Sequence, residues 1–260
     1  MNILHLSSIE LQSFVLILIR VAGIFSGIPL LGGKNVPKQV KAGLALLVTL
    51  IILPMVNLKE QILIPDIFSM LPLLAGEFMI GLIIGLIGKL VFAGIEMAGE
   101  QIGFQMGFGV VTLIDPQSEV HSPIIGQFYG LLALMIFLGI DGHYYFISAI
   151  IKSFQLIPPL QANISPSIYD YLMGLTNGIF IIALKLGLPV SAVLLITNII
   201  LGFISKVVPQ MNVFMVSVPL MIGIGLLIIG LSLPLFAMLA RRILSGMEGD
   251  IIGALKLLRT

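Results

Sequence analysis

Apolar residues run along this chain in long stretches, with polar positions confined to short gaps and a few isolated charges. A helix rises about 1.5 Å per residue and the bilayer hydrocarbon is about 30 Å thick, so a spanning helix needs roughly 20 such residues. Six runs are candidates: residues 11–31 are interrupted only by Arg20, 42–58 carry no charge, 71–95 carry Glu77 and Lys89, and 120–140 carry none. The fifth and sixth, 171–205 and 207–240, are too long for one straight span each. Lys185, Gly187 and Pro189 cluster where the fifth is predicted to break, because proline removes a backbone donor and clashes with the preceding turn. In the sixth, Pro209 predicts a turn at 208–212 followed by a helix. None of the runs alternates with period two, and backbone groups in lipid must be bonded internally, so the expected fold is all-α: a polytopic membrane protein with broken helices and helical hairpins.

Composition leads the same way. The 260 residues include only 13 Lys plus Arg and 12 Asp plus Glu, 58% are hydrophobic, and the mean hydropathy is +1.18. A soluble domain is about 25% charged, so a soluble enzyme and a disordered tail are excluded. A net charge of +1 offers no basic stripe for nucleic acid. There is no cysteine, and His5, His121 and His143 are too scattered for a ligand motif, so no metal, cofactor or catalytic residue is expected. Residues 1–10 contain no Lys or Arg, which favours a retained membrane segment over a secretion signal.

Charge counting conflicts with six simple crossings. Lys34, Lys38 and Lys41 mark one loop as cytoplasmic, and Arg241, Arg242, Lys256 and Arg259 against Glu248 and Asp250 mark the tail likewise. Six crossings place loop and tail on opposite faces. They also place residues 96–119, with four acids and no base, on the lysine side. Either one run does not cross, or these helices do not sit in a bilayer in the ordinary way.

The isolated charges are the first candidate site. Arg20 at mid-span costs at least about 2.5–3.5 kcal/mol unless it meets protein, water or a carboxylate; it reads as an ion-path or gating residue, or as half of a buried pair that fixes one helix against another. Glu77 and Lys89 lie roughly 18 Å apart along one helix and cannot pair with each other, so each is expected to meet another helix or a polar lumen. Lys185 reads as a snorkelling or interface residue. Glu96 and Glu100 share a helix face, suited to acid/base work or simply to a wet helix end. Asp141-Gly142-His143 reads as a helix-terminating turn. Glycines recur at small-residue spacing at 76, 81, 85 and 88, at 94, 99 and 103, and at 223, 225 and 230, which favours tight helix packing.

The second candidate is the stretch QIGFQMGFGVVTLIDPQSEVHS at 101–122. Glycines at 103, 107 and 109 free the backbone, Met106 and the phenylalanines supply pliable apolar packing, and Asp115-Pro116 marks a turn. Such a segment can fill a hole and leave it, or it can be a loop packed on helix ends.

Read together, the motifs resemble the flagellar biosynthetic FliR family and its virulence type III secretion counterparts. The matching pieces are RVAG at 20–23 with IPL at 28–30, VP at 36–37 with KAGLA at 41–45, and GE at 76–77 with IG at 80–81 and Gly85. QMGFG at 105–109 follows with DP at 115–116, then FL at 137–138 with DGH at 141–143, and LG at 201–202 with KVVPQMNVF at 206–214. The resemblance implies a non-enzymatic export-gate subunit of the bacterial cytoplasmic (inner) membrane at the centre of the flagellar basal body. Several FliP and FliQ copies would surround one copy of this chain in a helical cone, with FlhB and FlhA nearby and lipid around it, passing unfolded flagellar proteins. It implies a FliP-like part at 1–170, a FliQ-like hairpin at 171–240 and a tail at 241–260. Residues 105–121 would be the plug loop, with Gln105, Met106, Gly107, Phe108, Gly109, Val110, Asp115 and Pro116, in which Met106, Phe108 and Val110 seal the lumen. Lys206, Pro209, Gln210, Met211 and Asn212 would form the turn at the cytoplasmic entrance. Gly103 departs from the family pattern, where many relatives carry an aspartate. A secondary transporter built on broken helices is the competing reading; it predicts an internal repeat, which the spans do not show.

Overall fold

The computed structural model describes residues 8–28, 36–56, 67–109, 124–159, 166–210 and 212–259. Among them there is no strand, and the fold is all-α. The helices are α1 (Ser8–Gly27), α2 (Lys38–Ile52, continued by a short 3-10 turn Leu53–Met55), α3 (Ile67–Gln105), α4 (Ile124–Gly139), α5 (His143–Leu156), α6 (Pro166–Val207) and α7 (Val213–Leu257). Four of them contain stretches long and apolar enough to cross a membrane, and α4 with α5 makes a fifth if that broken pair is one span. Among the described residues six full crossings are not found, because the apolar stretch of α1, Leu11–Gly27, falls short of the length required.

The predicted break at Lys185–Pro189 is absent: α6 runs as one helix through Pro189, and α7 likewise passes Pro219 and Pro234. A proline deletes one helical hydrogen bond, but the bonds on either side persist, and a polar environment that could compete for the freed carbonyl is missing in apolar surroundings. The break lies instead between α4 and α5, where Asp141 takes a positive φ of 56° that ends helical propagation. The turn predicted at 208–212 separates α6 from α7, and residues 241–257, expected as a tail, continue α7 as helix.

The chain groups into two compact units. The first holds 1–90, 141–175 and 246–260. In it α1 packs on α2 and α5. Its core is Leu16, Ile17, Val21 and Ile24 of α1, Ile80, Ile84 and Ile87 of α3, and Ile150 and Phe154 of α5. The end of α7 adds Met247, Ile251, Ala254 and Leu255, and Leu258 follows just past it, all but excluded from solvent at the i, i+4, i+7, i+8 and i+11 positions of one stripe. Tyr171 donates from its hydroxyl to the Asp250 carbonyl at 3.1 Å, and Lys152 pairs with Glu248 at 3.0 Å. The second contact is half exposed and contributes about 0–1 kcal/mol; the apolar stripe does the holding.

The second unit holds 91–140 and 176–245. Its core is Ile95, Ala98 and Ile102 of α3, Tyr129, Ala133 and Phe137 of α4, Val190 and Leu194 of α6, and Ile229 and Phe236 of α7. Edge-on ring pairs join Phe92 to Phe137 at 5.6 Å and Tyr129 to Phe236 at 4.6 Å. Much of α6 and α7 stays uncovered: Leu188, Phe203, Leu231 and Met238 are each more than 60% exposed. That surface is suited to lipid or partner helices.

Ile251→Ala and Leu255→Ala should each lower stability by about 2–5 kcal/mol, the usual result of emptying a buried aliphatic site. Thermal unfolding in detergent would show it, with Lys256→Ala on the exposed side as the unaffected comparison.

Candidate functional site

The two charges that the sequence places in separate apolar runs meet in the first unit. Arg20 on α1 is fully buried and Glu77 on α3 nearly so. Arg20 Nε donates to Glu77 Oε2 at 2.5 Å across a separation of 57 residues. Nη1 donates to the Ile157 carbonyl at 3.1 Å and, more loosely, to Ser153 Oγ at 3.3 Å. The guanidinium carbon lies 4.0 Å from the centroid of the Phe154 ring. Ile157 caps the C-terminal end of α5, where carbonyls lack helical partners and the helix dipole is negative, so a cation there satisfies both. Of the guanidinium nitrogens, Nη2 has no partner among the described residues.

Close backbone approach makes this pairing reachable. Glu77, Gly81 and Gly85 follow one face of α3 at four-residue steps, and Arg20, Gly23 and Gly27 follow the facing side of α1. A Cβ at Gly23 would stand 2.7 Å from the Phe78 carbonyl oxygen, and one at Gly85 would stand 2.7 Å from that of Ile24. Added Cβ atoms at Gly27 and Gly81 would collide with the backbones of Gly85 and Arg20. Glycine on both helices therefore lets them touch backbone to backbone. Sequence reasoning missed Ser153, Phe154 and Ile157, because α5 lay beyond a turn read only as a helix end. Lys89 and Lys185 are exposed and do not join this cluster.

The second candidate begins at the end of α3. Phe108 N–H donates to the Gly103 carbonyl and Gly107 N–H to that of Phe104, both at 3.1 Å, with Gly107 at φ 95°. This is a Schellman motif with glycine in its left-handed position, which explains why the helix stops there. Met106 is fully buried, and the Gln105 amide oxygen is buried without a partner among the described residues. Val110, Asp115 and Pro116 lie outside the described residues, as does Met211 of the 208–212 turn. Lys206, Pro209, Gln210 and Asn212 of that turn are exposed, and the Asn212 carbonyl accepts from Met215 N–H at 3.1 Å. Glu96 and Glu100 are exposed on α3, the former with its carboxylate over Gly130 of α4.

Residues 11–247 match the family described as bacterial export proteins, family 1. The chain is 33% identical over 236 residues to the flagellar biosynthetic protein FliR of Bacillus subtilis, covering 90% of each chain. To that of Escherichia coli it is 31% identical over 246 residues, covering 93% of each. The chain belongs to the FliR family of bacterial export proteins. The FliR protein of Pectobacterium carotovorum, 34% identical over 87% of this chain and 86% of its own, extends the group. With several helices able to span a membrane, this FliR-family chain is an integral-membrane component of flagellar protein export.

Removing one partner of the buried pair, by Arg20→Ala or Glu77→Gln, should destabilise the fold by about 3–5 kcal/mol, whereas the joint replacement Arg20→Met with Glu77→Leu should recover most of it. Protein level in membranes and unfolding temperature in detergent would read both. A joint variant that is stable yet unable to export would assign the pair to gating rather than packing.

Proposed function

We propose that this chain is a non-enzymatic gate subunit of the flagellar export channel, assembling with several FliP and FliQ copies, with FlhA and FlhB alongside, at the centre of the basal body in the cytoplasmic membrane. The observation that carries the reading is the match to FliR proteins over nearly the whole chain. The wide apolar surface of α6 and α7 supports it, since it gives lipid and partner helices something to cover. In this reading residues 1–170 play the FliP-like part, 171–240 the FliQ-like hairpin and 241–260 the tail, and unfolded flagellar proteins are the cargo.

Residues 105–121 are the plug that closes the lumen. The left-handed Gly107 turns the chain abruptly out of α3 at the first residues of this segment. Methionine and phenylalanine then seal by apolar contacts that are individually small, about 0.1–0.2 kcal/mol per atom pair, and so yield when a substrate competes. Lys206, Pro209, Gln210, Met211 and Asn212 form the cytoplasmic entrance, where the exposed amides of Gln210 and Asn212 bond across subunits. A secondary transporter would need a buried charge free to hold solute, and Arg20 and Glu77 hold each other instead.

Native mass spectrometry of the tagged protein drawn from its own membranes should show several small helical partners around a single copy; a lone monomer or homodimer would contradict the gate. Deleting 105–121 should make the assembled complex leak small ions, and a tight complex would remove the plug. Replacing Gln210 and Asn212 together by alanine should impair assembly or motility, with wild-type swimming as the contrary result.

A further inference from the structure

Residues 207–240 carry no charge, and within the second unit that run ends at Arg241 and Arg242 of α7. Leu227, Leu231, Leu235 and Met238 are exposed at the i, i+4, i+8 and i+11 positions of one helical stripe. Arg242 continues the stripe at i+15, with Arg241 on its border. Both arginines are exposed, and neither forms an ion pair among the described residues. The described acids of this unit are Glu96 and Glu100, both on α3. Residues 221–240 alone rise about 30 Å, the thickness of the bilayer hydrocarbon. The exposed apolar stripe therefore reaches the length that lipid tails cover where the two guanidinium groups begin.

We propose that Arg241 and Arg242 form a binding site for the phosphate of an anionic phospholipid. A guanidinium is planar and donates two parallel N–H bonds to phosphate oxygens, whereas an ammonium acts as a point charge. Adjacent positions of a helix stand about 100° apart around its axis, so the pair approaches one head group from two sides while the acyl chains lie along Leu231, Leu235 and Met238. A zwitterionic head group brings its own cation to the same place, so the pair selects a lipid with net negative charge. Each arginine at such a surface contributes about fivefold in affinity. The site requires the membrane, and it requires neither the plug nor the partner subunits proposed above.

Native mass spectrometry of the full chain, delipidated in detergent and titrated with phosphatidylglycerol or phosphatidylcholine, tests it. Phosphatidylglycerol should bind the more tightly, and Arg241→Gln with Arg242→Gln should weaken its binding about 30-fold while leaving phosphatidylcholine unchanged. Lys256→Gln with Arg259→Gln, which removes the same charge at exposed positions of the first unit, should change neither. Equal affinity for the two lipids, or an equal loss in both double variants, would overturn the site. Arginines that meet an acidic partner subunit instead would leave phosphatidylglycerol binding unchanged in the variant chain and cost the assembled complex a subunit, which overturns it as well. If the first double variant does not fold, the parent chain decides. Phosphatidylglycerol, and not phosphatidylcholine, should then shield Arg241 and Arg242 from phenylglyoxal, read by peptide mass with Arg259 as the reacting comparison; arginines left unshielded would overturn the site.

Discussion

A guanidinium closed off from water is tolerated only where carboxylate, carbonyl, hydroxyl or ring-face partners meet most of it. Arg20 has all four, from Glu77, Ile157, Ser153 and Phe154. These come from two other helices, so the arginine fixes α1 against α3 and against the end of α5 at once. The glycines of α1 and α3 make that possible. Bulkier residues at 23, 27, 81 and 85 would hold the backbones apart and leave the two charges out of each other's reach, so the packing and the electrostatics of this unit are one constraint.

The two units solve the problem of an apolar chain differently. The first buries Arg20 and Glu77 against each other and closes over the residues at the end of α7, where Leu255 and Leu258 are fully buried. The second spends little of its apolar surface on itself. Leucines, isoleucines and phenylalanines project from one broad face of α6 and of α7, and water is a poor neighbour for that surface. A helix hydrophobic all round is made for a membrane or for an assembly, and membership of the FliR family is consistent with both.

The fold class was legible because apolar runs of this length admit one solution in lipid, and the 208–212 turn was legible because Pro209 and Asn212 interrupt the pattern. Arg20 and Glu77 were each legible as charges requiring cover. Their pairing was not, since a contact across 57 residues leaves no local trace. Helix α5 escaped because its face is only partly apolar and Lys152 dilutes it. The break assigned to Pro189 illustrates the opposite error: a residue that ends helices in water is carried inside one where no solvent competes for the carbonyl it frees. The positive φ that does end a helix sits on Asp141, whose short polar side chain tolerates the left-handed region.

Glycine spacing shows most clearly what a pattern leaves undecided. The same residue at similar intervals does three kinds of work in this chain. At 23, 27, 81 and 85 its missing side chain admits another backbone, at 107 its freedom of φ ends a helix, and at 225 the gap receives a methionine. At 174, 178, 202, 223 and 230 nothing described stands near it. A small-residue interval announces that a helix face can be approached closely, but the approaching group is set by which helix arrives there. At the open glycines no described residue of this chain has made that choice, whereas the filled ones record choices made within it.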